Sequence, residues 1–101
     1  MTSQLTAPEL QAALTRKEAP VVIDVREPAK YSRRHIPGAE HMPLAELVSS
    51  IKQRHPNRDE PVVVYSDHGI LSQHAATLLR SIGYHNVSDL AGGILGFGEI
   101  A

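Results

Sequence analysis

The chain has 101 residues and a formal net charge of −1; 42% of its residues are hydrophobic and 21% are charged. This length supports one hydrophobic core, so we predict a single domain over residues 1–101, and the balanced charge gives no reason to expect a nucleic acid or an anionic membrane as partner. The sequence lacks a membrane-spanning apolar run, a signal peptide and any cysteine, so we expect a cytoplasmic protein without disulfides, thiolate metal sites or thiol nucleophiles.

The N-terminal part predicts a helix followed by a buried strand. Thr6 and Glu9 have the spacing of a capping box, which indicates a short amphipathic helix over residues 7–16. The run Val21–Val25 is apolar except for Asp24, a pattern typical of a strand that is buried on both faces. Because an unpaired buried charge is expensive, we expect Asp24 at the end of the strand in a structural role, held by backbone N–H groups or by a basic partner.

Arg26 is the nearest predicted partner for that carboxylate. Pro28 then begins a short helix, because proline suits the first turn. We expect His35, just beyond this helix, to support the site by hydrogen-bonding the surrounding loops. Arg33 and Arg34 are predicted to be solvated, with the steering of anions toward a site as the alternative.

The rest of the chain continues the alternation of strands and helices. Residues 52–60 are polar and predict a surface loop in which His55 is exposed. Strands are predicted at 39–42, 61–65 and 86–90, and helices at 43–51, at 72–82 and, irregularly, after Gly92-Gly93. This order favours an α/β fold with a parallel sheet and helices on both faces.

The segment from residue 62 to residue 76 organises the prediction of function. A β-branched strand ends at Tyr65, a polar loop centred on Gly69 follows, and a helical pattern then begins. In a parallel sheet such a turn lies where ligands bind, and its N–H groups meet a helix N-terminus with partial positive charge. Ser66 is therefore predicted at the rim of an anion-binding loop formed by Asp67, His68, Gly69, Ile70, Leu71 and Ser72.

Several stretches, in this order along the chain, resemble the rhodanese-like domain family. They are Val22–Pro28 with Tyr31, His35–Ala39, Val62–Tyr65 with its six-residue loop, and Asn86-Val87 with Leu90–Ile94. The resemblance implies a central parallel five-stranded sheet and sulfurtransferase chemistry without a metal or cofactor. In that chemistry a loop cysteine takes sulfur from a donor such as thiosulfate and passes it on as a persulfide. The implied partner is a small sulfur-donor anion or a protein persulfide or thiol acceptor; the oligomeric state is left open.

Two departures from the family pattern decide the predicted activity. His68, Gly69 and Ser72 keep the loop pattern Cys-x-His-Gly-x-x-Ser, but Ser66 stands where the family carries its nucleophilic cysteine, and Leu71 stands where many members carry arginine. A serine hydroxyl neither ionises near neutral pH nor forms a persulfide, so we predict no sulfur transfer. Two interpretations stay open: a natural non-catalytic module that binds an anion or a protein, or a cysteine-to-serine form of an active sulfurtransferase.

Other chemistries fit this segment poorly. Ser66, Asp67 and His68 are adjacent, whereas a catalytic triad is assembled from residues distant in sequence, and no Gly-x-Ser-x-Gly elbow is present. A cysteine-type phosphatase needs arginine where this chain has Ser72. His68 and His74 lack the spacing of a helical zinc pair, so we predict that His68 hydrogen-bonds the loop backbone and that His74 lies on the helix surface.

Overall fold

A computed structural model describes residues 3–97 and has a five-stranded parallel sheet at its centre. The spatial order is β1-β5-β4-β2-β3, and every neighbouring pair of strands is parallel. The strands are β1 (Ser3–Leu5), β2 (Val21–Asp24), β3 (Glu40–His41), β4 (Val62–Tyr65) and β5 (Val87–Leu90). The predicted α/β fold with a parallel sheet is therefore confirmed.

Helices cover both faces of this sheet. They are α1 (Ala7–Leu14), α2 (Pro28–Arg33), α3 (Leu47–Arg54) and α4 (Ile70–Ser81), with single turns of 3-10 helix at Leu44–Glu46 and Ile94–Gly96. One buried cluster joins the sheet to α3 and α4, and includes Ile23, Val64, Ile51 and Leu79. A second cluster on the other face includes Leu10, Val63 and Phe97. Within residues 3–97, no helix is long and apolar enough to cross a membrane.

Local sequence explains where the first helix begins. Thr6 is the N-cap of α1, its hydroxyl accepts a hydrogen bond from the Glu9 N–H at 3.3 Å, and the Glu9 carboxylate accepts one from the Thr6 N–H at 2.8 Å. The predicted capping box is confirmed, and it satisfies two of the N–H groups that a helix start leaves without partners. The helix ends at Leu14, two residues before the predicted end.

Several element predictions were wrong in detail. Strand β1 was not predicted, because a three-residue polar edge strand shows no periodic pattern. Helix α4 begins at Ile70 rather than at residue 72, and α3 extends through Arg54, into the segment predicted as a loop. The predicted terminal helix is one 3-10 turn in the part of the chain that the structure describes, and residues 98–101 lie outside it.

His55 is the clearest correction on the surface. It was predicted to be exposed, but its ring is largely covered and lies between two carboxylates. Its Nε2 is 2.7 Å from Glu40 Oε2, and its Nδ1 is 3.2 Å from Glu60 Oε1. The histidine thereby ties the edge strand β3 to the loop after α3.

Candidate functional site

Ser66 lies at the start of the loop that joins β4 to α4, at the carboxyl edge of the sheet. It is only 3% exposed, and its Oγ accepts hydrogen bonds from the N–H groups of Gly69 at 3.2 Å and Ser72 at 3.1 Å. The Ser72 hydroxyl in turn donates to the Gly69 carbonyl at 3.1 Å. Ser66 is therefore at the bottom of the loop rather than at the predicted rim, and its Oγ contacts the first turn of α4 through the Ser72 N–H.

Gly69 and the helix start make this loop electropositive. Gly69 has a φ of +99°, a left-handed conformation that a side chain would disfavour, and it turns the chain directly into α4. Within residues 3–97, the N–H groups of Ile70 and Leu71 have no backbone or side-chain acceptor. Free N–H groups at a helix start carry partial positive charge, so the loop presents a cradle to an anion.

The loop is held from behind by the turn after β5. The N–H of Ile94 donates to the Ser66 carbonyl at 2.9 Å, and the N–H of Leu95 donates to the Asp67 carbonyl at 3.3 Å. Gly93 packs so closely that a Cβ there would lie 2.2 Å from the Asp67 carbonyl oxygen. The sequence marked Gly92-Gly93 only as a turn, so this contact between distant parts of the chain was missed.

A buried ion pair forms the side wall of the site. Asp24 lies at the end of β2, as predicted, and accepts hydrogen bonds from the Arg26 N–H at 2.9 Å and from Arg26 Nη2 at 2.7 Å. Burial opposes the charge on the guanidinium, but the hydrogen bonds to Asp24 and Asp67 outweigh it, so the pKa of Arg26 lies above its usual value. The guanidinium also donates to the Arg34 carbonyl at 2.6 Å, which connects β2 to the end of α2.

Asp67 is the second carboxylate of this network. Its Oδ1 accepts from Arg26 Nη1 at 3.1 Å, and its Oδ2 contacts Lys30 Nζ. The hydrogen bond from Lys30, together with Arg26, holds the pKa of Asp67 below its usual value. The Asp67 carboxylate is thus charge-compensated, which reduces its repulsion of an anion in the loop.

We predict a pH dependence of stability from Asp67. Because its pKa is lower in the folded chain than in the unfolded chain, its contribution to stability is complete above about pH 4 and is lost as the pH falls through the lower, folded pKa. Urea titrations should show that the free energy of unfolding falls more between pH 7 and pH 3 with Asp67 than with Asp67→Asn. We expect the difference to be only about 0.5–1 kcal/mol, because Lys30 is half exposed. About 1 M NaCl should shrink this difference; equal losses in both proteins would contradict the assignment.

Of the histidines near the site, His35 packs against a neighbouring ring, whereas His68 and His74 lie on the exposed surface. His35 stacks on Tyr31 with ring centroids 3.9 Å apart, and its Nδ1 is 2.8 Å from the Tyr31 carbonyl oxygen. His68 is exposed, and the predicted hydrogen bond to the loop backbone is not found among the residues that the structure describes. His74 lies on the exposed face of α4, as predicted. Residues 3–97 contain no cluster of three or more histidine and carboxylate side chains suited to a metal ion.

Two adjoining cavities open above the loop. The first, of about 310 Å³, has the buried Ser66 in its lining together with Arg26, Glu27, Lys30, Asp67, His68, Ile70, Leu71 and His74. The second, of about 320 Å³, is lined by Arg26, Lys30, Arg33, Arg34, Asp67, His68, Ile94 and Leu95. Arg33 and Arg34 thus line a cavity beside the site, which favours the alternative that these residues face it. Cationic side chains and free N–H groups together suit the site to small anions.

Comparisons with known proteins agree with this architecture. The family model of the rhodanese-like domain matches residues 6–99. A thiosulfate sulfurtransferase GlpE of Pseudomonas fluorescens is 38% identical over 86 residues, which cover 85% of this chain and 77% of that protein. A GlpE of Pseudomonas syringae is 34% identical, over 92% of this chain and 86% of its own length. The chain therefore belongs to the rhodanese-like domain family.

Solved structures show the same relationship. The crystal structure of a thiosulfate sulfurtransferase from Pseudomonas aeruginosa superposes with a TM-score of 0.87 at 35% identity, covering 94% of this chain. This chain spans only 18% of that longer one. The solution structure of a rhodanese-like domain from Anabaena has a TM-score of 0.86 at 32% identity, covering 96% of this chain and 74% of that one. Within this sulfurtransferase family, the present chain has no cysteine in its sequence.

Proposed function

We propose that this chain is a rhodanese-like domain that keeps the anion cradle of a sulfurtransferase but does not transfer sulfur as written. The observation that carries the proposal is the position of Ser66 Oγ, which is buried beneath the cavity and accepts hydrogen bonds from the N–H groups of Gly69 and Ser72. A nucleophile in this position faces incoming anions and is surrounded by hydrogen-bond donors. The oxygen of Ser66 therefore occupies the place from which a thiolate would attack.

The same geometry would favour a thiolate and leaves a hydroxyl inert. Hydrogen-bond donors and a helix N-terminus lower a thiol pKa from its ordinary value of about 8.5, which populates the thiolate at neutral pH. That thiolate would attack the outer sulfur of thiosulfate, forming a new S–S bond while the S–S bond of thiosulfate breaks and sulfite leaves with the electron pair. Cyanide would then take the outer sulfur as thiocyanate and release the thiolate. Within residues 3–97 the hydrogen-bond partners of Ser66 Oγ are the N–H groups of Gly69 and Ser72 and not a base, and an oxygen cannot accept the sulfur as a persulfide.

A second candidate is a binding role for an anion or a protein. Leu71 supports it, because the loop position where many sulfurtransferases of this kind carry a cation is here an apolar side chain at the cavity. Under this candidate Ser66 is the natural residue and the cradle serves recognition. Under the first, Ser66 replaces a cysteine of an active parent. Both candidates expect the chain as written to be catalytically silent.

The Ser66→Cys variant separates the two candidates. We expect the chain as written to form no thiocyanate from thiosulfate and cyanide above the uncatalysed rate, whereas Ser66→Cys should form it at least about 100-fold faster than a control thiol. Ser81→Cys is the matched control, because it places a thiol at the exposed opposite end of the same helix. Initial rates of thiocyanate formation provide the measurement.

Three results would contradict the sulfurtransferase proposal. The first is thiocyanate formation by the chain as written that persists after further purification of the protein. The second is an equal rate for Ser66→Cys and Ser81→Cys, because the cradle would then contribute nothing. The third is inactivity of a folded Ser66→Cys variant, which would favour the binding role.

A further inference from the structure

Exposed apolar side chains gather at the mouth of the site. Within residues 3–97, the large hydrophobic side chains that are exposed are Ile70, Leu71 and Leu95, at 71%, 37% and 59% of their full accessibility. Ile70 and Leu71 line the first cavity, and Leu95 lines the second. We refer to these three side chains as the rim patch. Single exposed hydrophobics are common on protein surfaces, but their grouping at two adjoining cavities is typical of a contact site.

The charge around the rim patch differs from that of the whole chain. The two cavities are lined by four cationic side chains, Arg26, Lys30, Arg33 and Arg34, and by two carboxylates, Glu27 and Asp67. The full chain, in contrast, has a formal net charge of −1. The buried carboxylate of Asp24 offsets the charge of Arg26, so four cationic and three acidic groups leave an excess of one positive charge at this face. A local excess of positive charge on such a chain attracts negatively charged partners.

A small inorganic anion would not account for this surface. Thiosulfate or a similar ion would contact the N–H groups of the loop and the cations of the cavity walls, and it would leave the rim patch in water. A ligand that uses both features has apolar groups to cover Ile70 and Leu95 and negative groups to face Arg33. A protein segment that mixes leucine-like and acidic side chains has this composition.

We propose that the rim patch docks an acidic, apolar segment of a partner protein and brings a cysteine of that segment over Ser66. Docking of the segment depends only on the rim patch and the charges around it. The role of the partner's cysteine, in contrast, rests on the proposed sulfurtransferase function. In an active, cysteine-bearing form, the partner's thiolate would attack the outer sulfur of the loop persulfide. A new S–S bond would form on the partner, the loop S–S bond would break, and the loop cysteine would leave as a thiolate.

Direct binding to the chain as written tests the docking surface. The probes are two fluorescein-labelled heptapeptides, Asp-Leu-Glu-Cys-Leu-Asp-Glu and the same peptide with lysine at each acidic position. Fluorescence anisotropy should show the acidic peptide binding at least about tenfold more tightly. Leu95→Gln and Arg33→Glu should each weaken that binding about fivefold or more, whereas the charge-reversing control Lys52→Glu, on the exposed surface of α3, should not.

Three outcomes of this experiment would overturn the docking proposal. One is equal affinity for the acidic and basic peptides, and another is binding that Leu95→Gln leaves unchanged while the variant remains folded by circular dichroism. The third is tight binding to phosphatidylglycerol vesicles that displaces the peptide, which would assign the rim patch to a lipid surface. Tighter binding of the acidic peptide, lost in both surface variants, supports the proposal.

Activity of the Ser66→Cys variant separates this proposal from the proposed function. In that background, and at low peptide concentration, Leu95→Gln should slow sulfur transfer to the acidic peptide about fivefold more than it slows thiocyanate formation. Selective peptide binding without any thiocyanate formation would contradict the proposed sulfur chemistry and support the docking surface. Thiocyanate formation without selective peptide binding would support the sulfur chemistry and contradict the docking surface.

Discussion

Replacement of Arg26 by leucine is expected to destabilise the protein by about 3–5 kcal/mol. Arg26→Leu removes the partner of Asp24, whose carboxylate is fully buried at the end of β2. It also removes one of the two cations that hold Asp67 and the donor to the Arg34 carbonyl. The free energy of unfolding of a domain of this size is about 5–15 kcal/mol, so urea unfolding should show that Arg26→Leu loses a large part of it.

A second substitution tests whether the buried charge of Asp24 causes the destabilisation by Arg26→Leu. Adding Asp24→Asn to Arg26→Leu should recover part of the lost stability, because the uncompensated carboxylate is gone. Asp24→Asn alone should destabilise the protein, since it removes one partner of an intact pair. A loss below about 1 kcal/mol for Arg26→Leu, or no recovery in the double variant, would contradict this account of the side wall.

Replacement of Gly93 by alanine is expected to disrupt the site loop. The new methyl group would lie 2.2 Å from the carbonyl oxygen of Asp67 and 2.6 Å from that of Ser66, and these backbone atoms are themselves hydrogen-bonded. The φ of +64° at Gly93 also strains any residue with a side chain. We expect Gly93→Ala to cost at least about 2 kcal/mol and, in the Ser66→Cys background, to lower thiocyanate formation about 100-fold or more.

The same turn offers a matched control. Gly96 lies three residues further along, and among residues 3–97 the nearest atom outside its chain neighbours that a Cβ there would meet is the Ala91 carbonyl oxygen, at 3.9 Å. Gly96→Ala should therefore change stability and activity little, within about 0.5 kcal/mol. Equal losses for the two alanine variants would indicate that the turn needs backbone freedom in general, and would contradict a specific role of Gly93 beneath the loop.

The parts of the fold that sequence predicted best are those whose causes are local. The capping box of Thr6 and Glu9 and the apolar run of β2 lie within a few residues, so their geometry is readable from spacing alone. The pairing of Asp24 with Arg26 was predictable for the same reason, because the two residues are two positions apart. The strand, loop and helix order around Ser66 likewise placed it at the carboxyl edge of the sheet.

The features that sequence missed depend on contacts between distant segments. His55 is covered because Glu40, on the edge strand, and Glu60, after the helix, both reach its ring. Gly93 matters because it packs against Asp67, and β1 exists because it pairs with β5 at the far end of the chain. Such contacts follow from the assembled topology, which no local pattern specifies.

The hydrogen bonds from Ile94 and Leu95 to the carbonyls of Ser66 and Asp67 have a consequence for recognition. Leu95 belongs at once to the outer surface and to the support of the loop, through its side chain and its backbone respectively. We therefore expect a protein that immobilises the Leu95 side chain to restrict also the motion of the backbone beneath the nucleophile position. Such a protein would order part of the loop before an anion binds, which lowers the entropy cost of anion binding. Protein binding at the outer surface and anion binding in the loop should therefore be positively coupled.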